Sequence, residues 1–137
     1  KRWDKALDLT NRALRADSSN VVYHVTKSSL LLNLGEYDRS FAISDSLLQV
    51  NDSLPEAYLN AGLAKFNKGV TMDKAVHQSA SRKKVIHNYY REAMPYLETY
   101  RKMREDKVDT WGLPLYTIYL NLNMGKQFDE IDKLMKK

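Results

Sequence analysis

Apolar residues recur along this chain at three- and four-residue steps, in segments separated by short polar breaks. That spacing predicts helices, because it gathers apolar side chains on one face of a 3.6-residue turn. Residues 1–16 carry Trp3, Ala6, Leu7, Leu9, Ala13 and Leu14 on such a stripe. The break Asp17-Ser18-Ser19-Asn20 supplies N-cap residues for a second helix over 21–34, which Gly35 closes in the left-handed conformation. A third helix follows over 36–50, with Tyr37, Phe41, Ile43, Leu47 and Leu48 apolar. Ser53 and Glu56 fit a capping box, with Pro55 in the first turn of the next helix. No segment shows the alternation of a strand.

The pattern repeats. Gly35 is followed 34 residues later by Gly69, and the small residue Ser28 by Gly62. The third unit departs from the period. Its partner-helix pattern resumes only near Ala93, Leu97 and Tyr100, which implies a 19-residue insert. The insert lacks proline and glycine beyond Gly69 and favours helix. The expectation is one helix from Pro55 to about His77, crossing Gly69, a turn near Gln78-Ser79-Ala80, and a second helix from about Ser81 to Arg104. Pro95 falls inside that second helix and is expected to kink it. Asp106 offers a cap for a further helix carrying Trp111, Leu115, Ile118 and Tyr119, which starts near Thr110 or near Lys107 with a bend at Pro114. Asn123-Met124-Gly125 reads as a turn before a last helix over Lys126–Lys137.

Composition narrows the class. At 137 residues the chain suits one domain. The longest apolar run, Leu30-Leu31-Leu32, is too short to span a bilayer. There are no cysteines, which excludes disulfides and thiolate metal sites. The chain begins at Lys1, carries no signal-peptide pattern, and is read as a fragment or processed product. Of the net charge of +5, residues 70–107 carry +4.

These residues resemble tetratricopeptide-repeat proteins, whose unit is a 34-residue helix–turn–helix. The resemblance rests on the first-helix aromatics Tyr58 and Trp111, Gly62 four residues after Tyr58, the turn Gly35-Glu36-Tyr37, and the small second-helix residues Ala6, Ala13, Ser40 and Ala93. It covers nearly the whole chain: a half unit (1–20), a regular unit (21–54), an enlarged unit (55–107) and a terminal unit (108–137). The prolines usual at unit ends are replaced by Ser18, Asp52 and Glu105. The resemblance implies an all-α, right-handed superhelix of antiparallel helix pairs with one enlarged hairpin. The segments 93–98 and 120–126 are similar to repeat proteins common in Bacteroidetes bacteria, many of them exported, a resemblance that favours a periplasmic or otherwise exported location over a cytoplasmic one without fixing it.

In that family the first helices line a concave groove that holds a peptide or partner helix. Here the groove residues would be Val22, Val25, Ser29, Leu32 and Asn33, then Leu59, Asn60, Leu63, Phe66 and Asn67, continued by Tyr116 and Tyr119. Members that clamp a C-terminal carboxylate use lysines, an arginine and asparagines. Only Asn60 matches, while Val25, Ser29, Asp109 and Leu113 occupy the other sites, so that specialisation is excluded. The expected role is a non-catalytic scaffold for a protein or peptide partner, with no cofactor and no metal.

The alternative is an anion- or nucleic-acid-binding module using Lys74, Arg82, Lys83 and Lys84, with Tyr89 and Tyr90 available for base stacking. The plainer reading is a solvated helix face, the usual place for charge runs. His24, His77 and His87 lack the spacing of a zinc helix. Asp129, Glu130 and Asp132 lack a calcium-loop glycine. No phosphate loop or nucleophile elbow is present.

Overall fold

The computed structural model describes residues 2–74 and 79–136. Among them are seven α-helices and no strand: α1 (Arg2–Ala16), α2 (Val21–Asn33), α3 (Tyr37–Val50), α4 (Pro55–Asp73), α5 (Ala80–Met103), α6 (Val108–Asn121) and α7 (Gly125–Met135). Each helix packs on the next, and short connections make neighbours antiparallel. α2 also packs on α4, and α4 on α6. Among the described residues no such backbone approach joins α1 to α3 or α3 to α5. The most extensive interface is that of the long pair α4 and α5.

The helix ends follow local chemistry. The Asn20 side chain accepts the Tyr23 N–H at 3.1 Å and caps α2. At the other end Gly35 adopts φ +79°. The Glu36 N–H then reaches the Leu31 carbonyl at 2.8 Å, and the Gly35 N–H reaches that of Leu32. This paired closure is a Schellman motif. It recurs after α6, where Asn123 takes φ +56° and the Met124 N–H donates to the Tyr119 carbonyl at 2.9 Å.

Two expected caps do not form. α4 starts one residue later than a Ser53–Glu56 box requires, with Leu54 at the N-cap and no side-chain bond there. Proline is best placed at the first helical position, and Pro55 takes it. Asp106 likewise does not cap α6; Lys107 holds the N-cap position without a side-chain bond. α6 starts at Val108 with Pro114 inside it, and Pro95 lies inside α5. α4 does cross Gly69, ending at Asp73. Its expected last turn to His77, and Gln78 of the connecting turn, lie outside the described residues. Ser79 is the N-cap of α5 and accepts the Arg82 N–H at 3.1 Å.

The core lies between α4, α5, α6 and α7, around Phe66, Tyr90, Leu97, Trp111, Leu115, Ile118 and Ile131. Gly62 and Gly69, seven residues apart on α4, let α5 come close. A methyl group at Gly69 would stand 2.6 Å from the Tyr90 ring. Gly69 is thus a packing site within the helix, where the 34-residue period alone would place a turn.

The α2–α3 pair is joined differently. Ser28, Ser40 and Ser44 are all fully buried. Ser28 Oγ lies 2.6 Å from Ser44 Oγ and 3.0 Å from the Ser40 carbonyl, and Ser40 Oγ donates to the Ser28 carbonyl at 2.8 Å. Hydroxyls that small let the helices approach while every donor finds an acceptor.

Candidate protein-binding face

The face common to α2 and α4 gathers most of the residues that the sequence points to. Val22 is 69% exposed, and Val25, Ser29 and Leu32 are half-buried on α2. Leu59, Leu63 and Asn67 are half-buried on α4, the two leucines against the core. The two helices are tied at mid-length, where Asn60 Nδ2 donates to Ser29 Oγ at 3.0 Å. Asn33 turns its amide back to the Ser29 carbonyl.

Two of the expected groove residues are not open. Asn60 is 5% exposed, its amide engaged with Ser29. Phe66 is 8% exposed, its ring 5.7 Å from that of Tyr90. The cover over Phe66 comes from the extension of α5. Tyr119 is also core, its hydroxyl donating to Glu98 Oε2 at 2.6 Å, and the Tyr116 ring packs 4.6 Å from that of Phe128.

Sequence reasoning missed two surfaces. Leu113 and Leu120 are exposed on one stripe of α6. Their seven-residue spacing is a signal, but α6 is apolar on nearly every side, so the exposed stripe does not stand out. Val21, Ala42, Ile43, Leu47 and Val50 line a cleft of about 490 Å³ between α2 and α3, flanked by His24, whose Nε2 lies 2.7 Å from the Ser18 carbonyl.

The basic residues divide. Lys74, Lys83 and Lys84 are exposed, whereas Arg82 turns back so that Nε and Nη2 each reach the Met72 carbonyl at 3.4 Å. That contact neutralises the carbonyl end of α4, a common role for arginine at a helix C-terminus. Neither tyrosine of the insert is free for stacking. Tyr90 is wholly buried, its hydroxyl donating to Asp73 at 3.3 Å, and Tyr89 lies beneath Lys68 Nζ, 5.1 Å from its ring centre. Burial, reinforced by the Asp73 carboxylate, pushes the Tyr90 phenol up to about 12. Burial and Glu98 push the Tyr119 phenol up as well.

Among the described residues no three His, Asp or Glu side chains converge as metal ligands would, and no helix is long and apolar enough to cross a membrane. Comparison with family models, curated proteins and solved structures finds no match to this chain.

Proposed function

We propose that this chain is a non-catalytic protein-interaction module of tetratricopeptide-like build, holding a peptide or helix of a partner on the face shared by α2 and α4. The observation that carries the reading is the succession α2–α4–α6. These alternate helices touch one another, while α3 and α5 do not meet through their backbones. Such packing curves a stack toward its first helices and leaves a preformed concavity, which gives up little entropy on binding. Val22, Val25, Leu32, Leu59 and Leu63 supply apolar contact; Ser29, Asn33 and Asn67 supply polar flanks. An apolar stripe with amides beside it suits an amphipathic helix or extended segment.

The nucleic-acid alternative has less support, because both tyrosines that would stack bases are occupied.

Affinity capture from native cell extract, at low and high salt, tests the proposal. A partner retained at both salts and lost with Leu63→Glu, at unchanged circular dichroism and urea midpoint, supports it. A partner indifferent to Leu63→Glu removes the groove assignment. Phe66→Glu is unsuitable, since Phe66 is core and its replacement would unfold the protein.

A further inference from the structure

We infer that the outer face of α5 is a second docking surface, a cationic ridge for an acidic polypeptide segment. The inference rests on the reading of the chain as a partner-binding module and names the chemistry of a contact away from the groove.

α5 holds six basic and two acidic residues, so it alone carries +4 of the chain's +5. Both acids turn toward neighbours. Glu92 faces Lys65 of α4 at 3.8 Å, and Glu98 accepts the Tyr119 hydroxyl. Two of the cations are likewise engaged inward, Arg82 on the Met72 carbonyl and Arg101 over the Trp111 ring at 4.8 Å. Glu98 shares the stripe of the remaining cations, with its carboxylate taken by Tyr119, and the other charges on that stripe are positive. Lys84, Asn88, Arg91 and Lys102 are all exposed, and their spacing of four, seven and eleven residues sets them on one helix face. The ridge from Lys84 to Lys102 is about 27 Å long at 1.5 Å per residue. No carboxylate pairs with Lys84 or Lys102 among the described residues. Arg91 is held by Asn88, a neutral partner, at 3.0 Å.

Electrostatic mismatch at the start of α5 points the same way. The first five residues of α5 include Arg82, Lys83 and Lys84 and no acid. A helix N-terminus is the positive end of the backbone dipole, so cations there repel it and one another. Arg82 relieves its share at the Met72 carbonyl, but among the described residues no carboxylate pairs with Lys83 or Lys84, and a bound row of carboxylates would relieve theirs.

The shape and composition of the ridge choose among anionic partners. The ridge is a single line with no open aromatic ring beside it, since Tyr89 and Tyr90 are occupied. Nucleic acid is served by a broader basic surface or by stacking platforms. A membrane surface is served by cations interleaved with exposed apolar anchors, and Val85 is the sole exposed large apolar residue on α5. A row of glutamates on a helix fits a line of three cations.

The test uses the whole chain and a fluorescein-labelled, alanine-based helical peptide bearing glutamates at the seven- and eleven-residue spacings of the ridge. Two charge-reversed variants are compared, Lys84→Glu/Arg91→Glu on α5 and Lys126→Glu/Lys133→Glu on α7. All four positions are exposed, and both variants change net charge equally. The ridge predicts that the α5 variant weakens peptide binding at least about tenfold and the α7 variant far less, with circular dichroism unchanged in both. Equal weakening by the two variants, no peptide binding, or tighter binding to a DNA duplex or to phosphatidylserine vesicles would overturn it. Failure here is separable from failure of the groove. A partner lost with Leu63→Glu but held by Lys84→Glu/Arg91→Glu would leave the groove standing and remove the ridge alone.

Discussion

A methyl group at Gly62 would stand 2.7 Å from Cγ of Leu97 and 3.3 Å from its backbone nitrogen. Leu97 is fully buried and cannot swing aside, so α4 and α5 are as close here as a glycine allows. Gly62→Ala gains about 1 kcal/mol of helix propensity, but overpacking costs about 1–3 kcal/mol, so a net loss is expected. Gly62→Leu should cost considerably more. Urea denaturation of both variants checks this, and an unchanged midpoint for Gly62→Leu would contradict the close crossing.

The serine network predicts coupling. Ser28→Ala leaves the Ser44 hydroxyl without its acceptor and should destabilise the fold by about 1–2 kcal/mol. Ser44 can turn back to the Ser40 carbonyl one turn earlier, which limits the loss. The double variant Ser28→Ala/Ser44→Ala should therefore lose less than the sum of the single losses, as contacting residues do. Strict additivity in chemical denaturation would break the network reading.

The buried phenols give the protein an alkaline limit. Tyr90 holds its proton to about 12 in the folded state, against an ordinary 10.0 for tyrosine. Its stabilisation is fully present below 10 and is lost as pH climbs from 10 toward 12, because the unfolded chain releases the proton first. Each such tyrosine steepens the decline by up to about 1.4 kcal/mol per pH unit. Tyr119, pushed up by burial and by Glu98, acts in the same direction. Denaturation midpoints across that window should fall steeply for the native chain and less steeply for Tyr90→Phe. Equal slopes would show that Tyr90 is not the group responsible.

Much of this was legible in the residues. Helical phase and most boundaries follow from apolar spacing, and the lengthening of both helices of the third unit follows from an insert without helix breakers. What was not legible depended on contacts far apart in sequence. Phe66 has the spacing of a groove residue, and only the approach of Tyr90, supplied by the extended α5, makes it core. Asn60 looks like a polar groove position until Ser29, 31 residues earlier, is seen to occupy its amide. Gly69 matches Gly35 in register, yet one permits a ring to pack and the other a left-handed turn. Capping residues misled for a local reason, since Pro55 set the start of α4 and left Ser53 outside it.

Side chains bridge the gap between α3 and α5. Lys68 Nζ lies 2.8 Å from Asp38 of α3 and above the Tyr89 ring of α5. Lys65 Nζ lies 4.3 Å over the Phe41 ring and 3.8 Å from Glu92, while the Phe41 and Tyr96 rings meet edge to face at 5.8 Å. Asp38 is mostly exposed, so a Lys68/Asp38 double-mutant cycle should give a coupling of only about 0.5 kcal/mol, shrinking with added salt. A coupling several times larger, or one indifferent to salt, would mean that the pair is far better shielded than this geometry allows.

If the α2–α4 face holds a polypeptide partner as proposed, a probe placed on that face must reach it. Photocrosslinking in the native cell probes this, with a benzophenone amino acid at Val25 and, for comparison, at the exposed Glu130 on α7, away from both proposed surfaces. A discrete protein adduct is expected from Val25, disappearing when Leu63→Glu is added, and none from the comparison site. No adduct from Val25, or one that survives Leu63→Glu, would contradict the proposal.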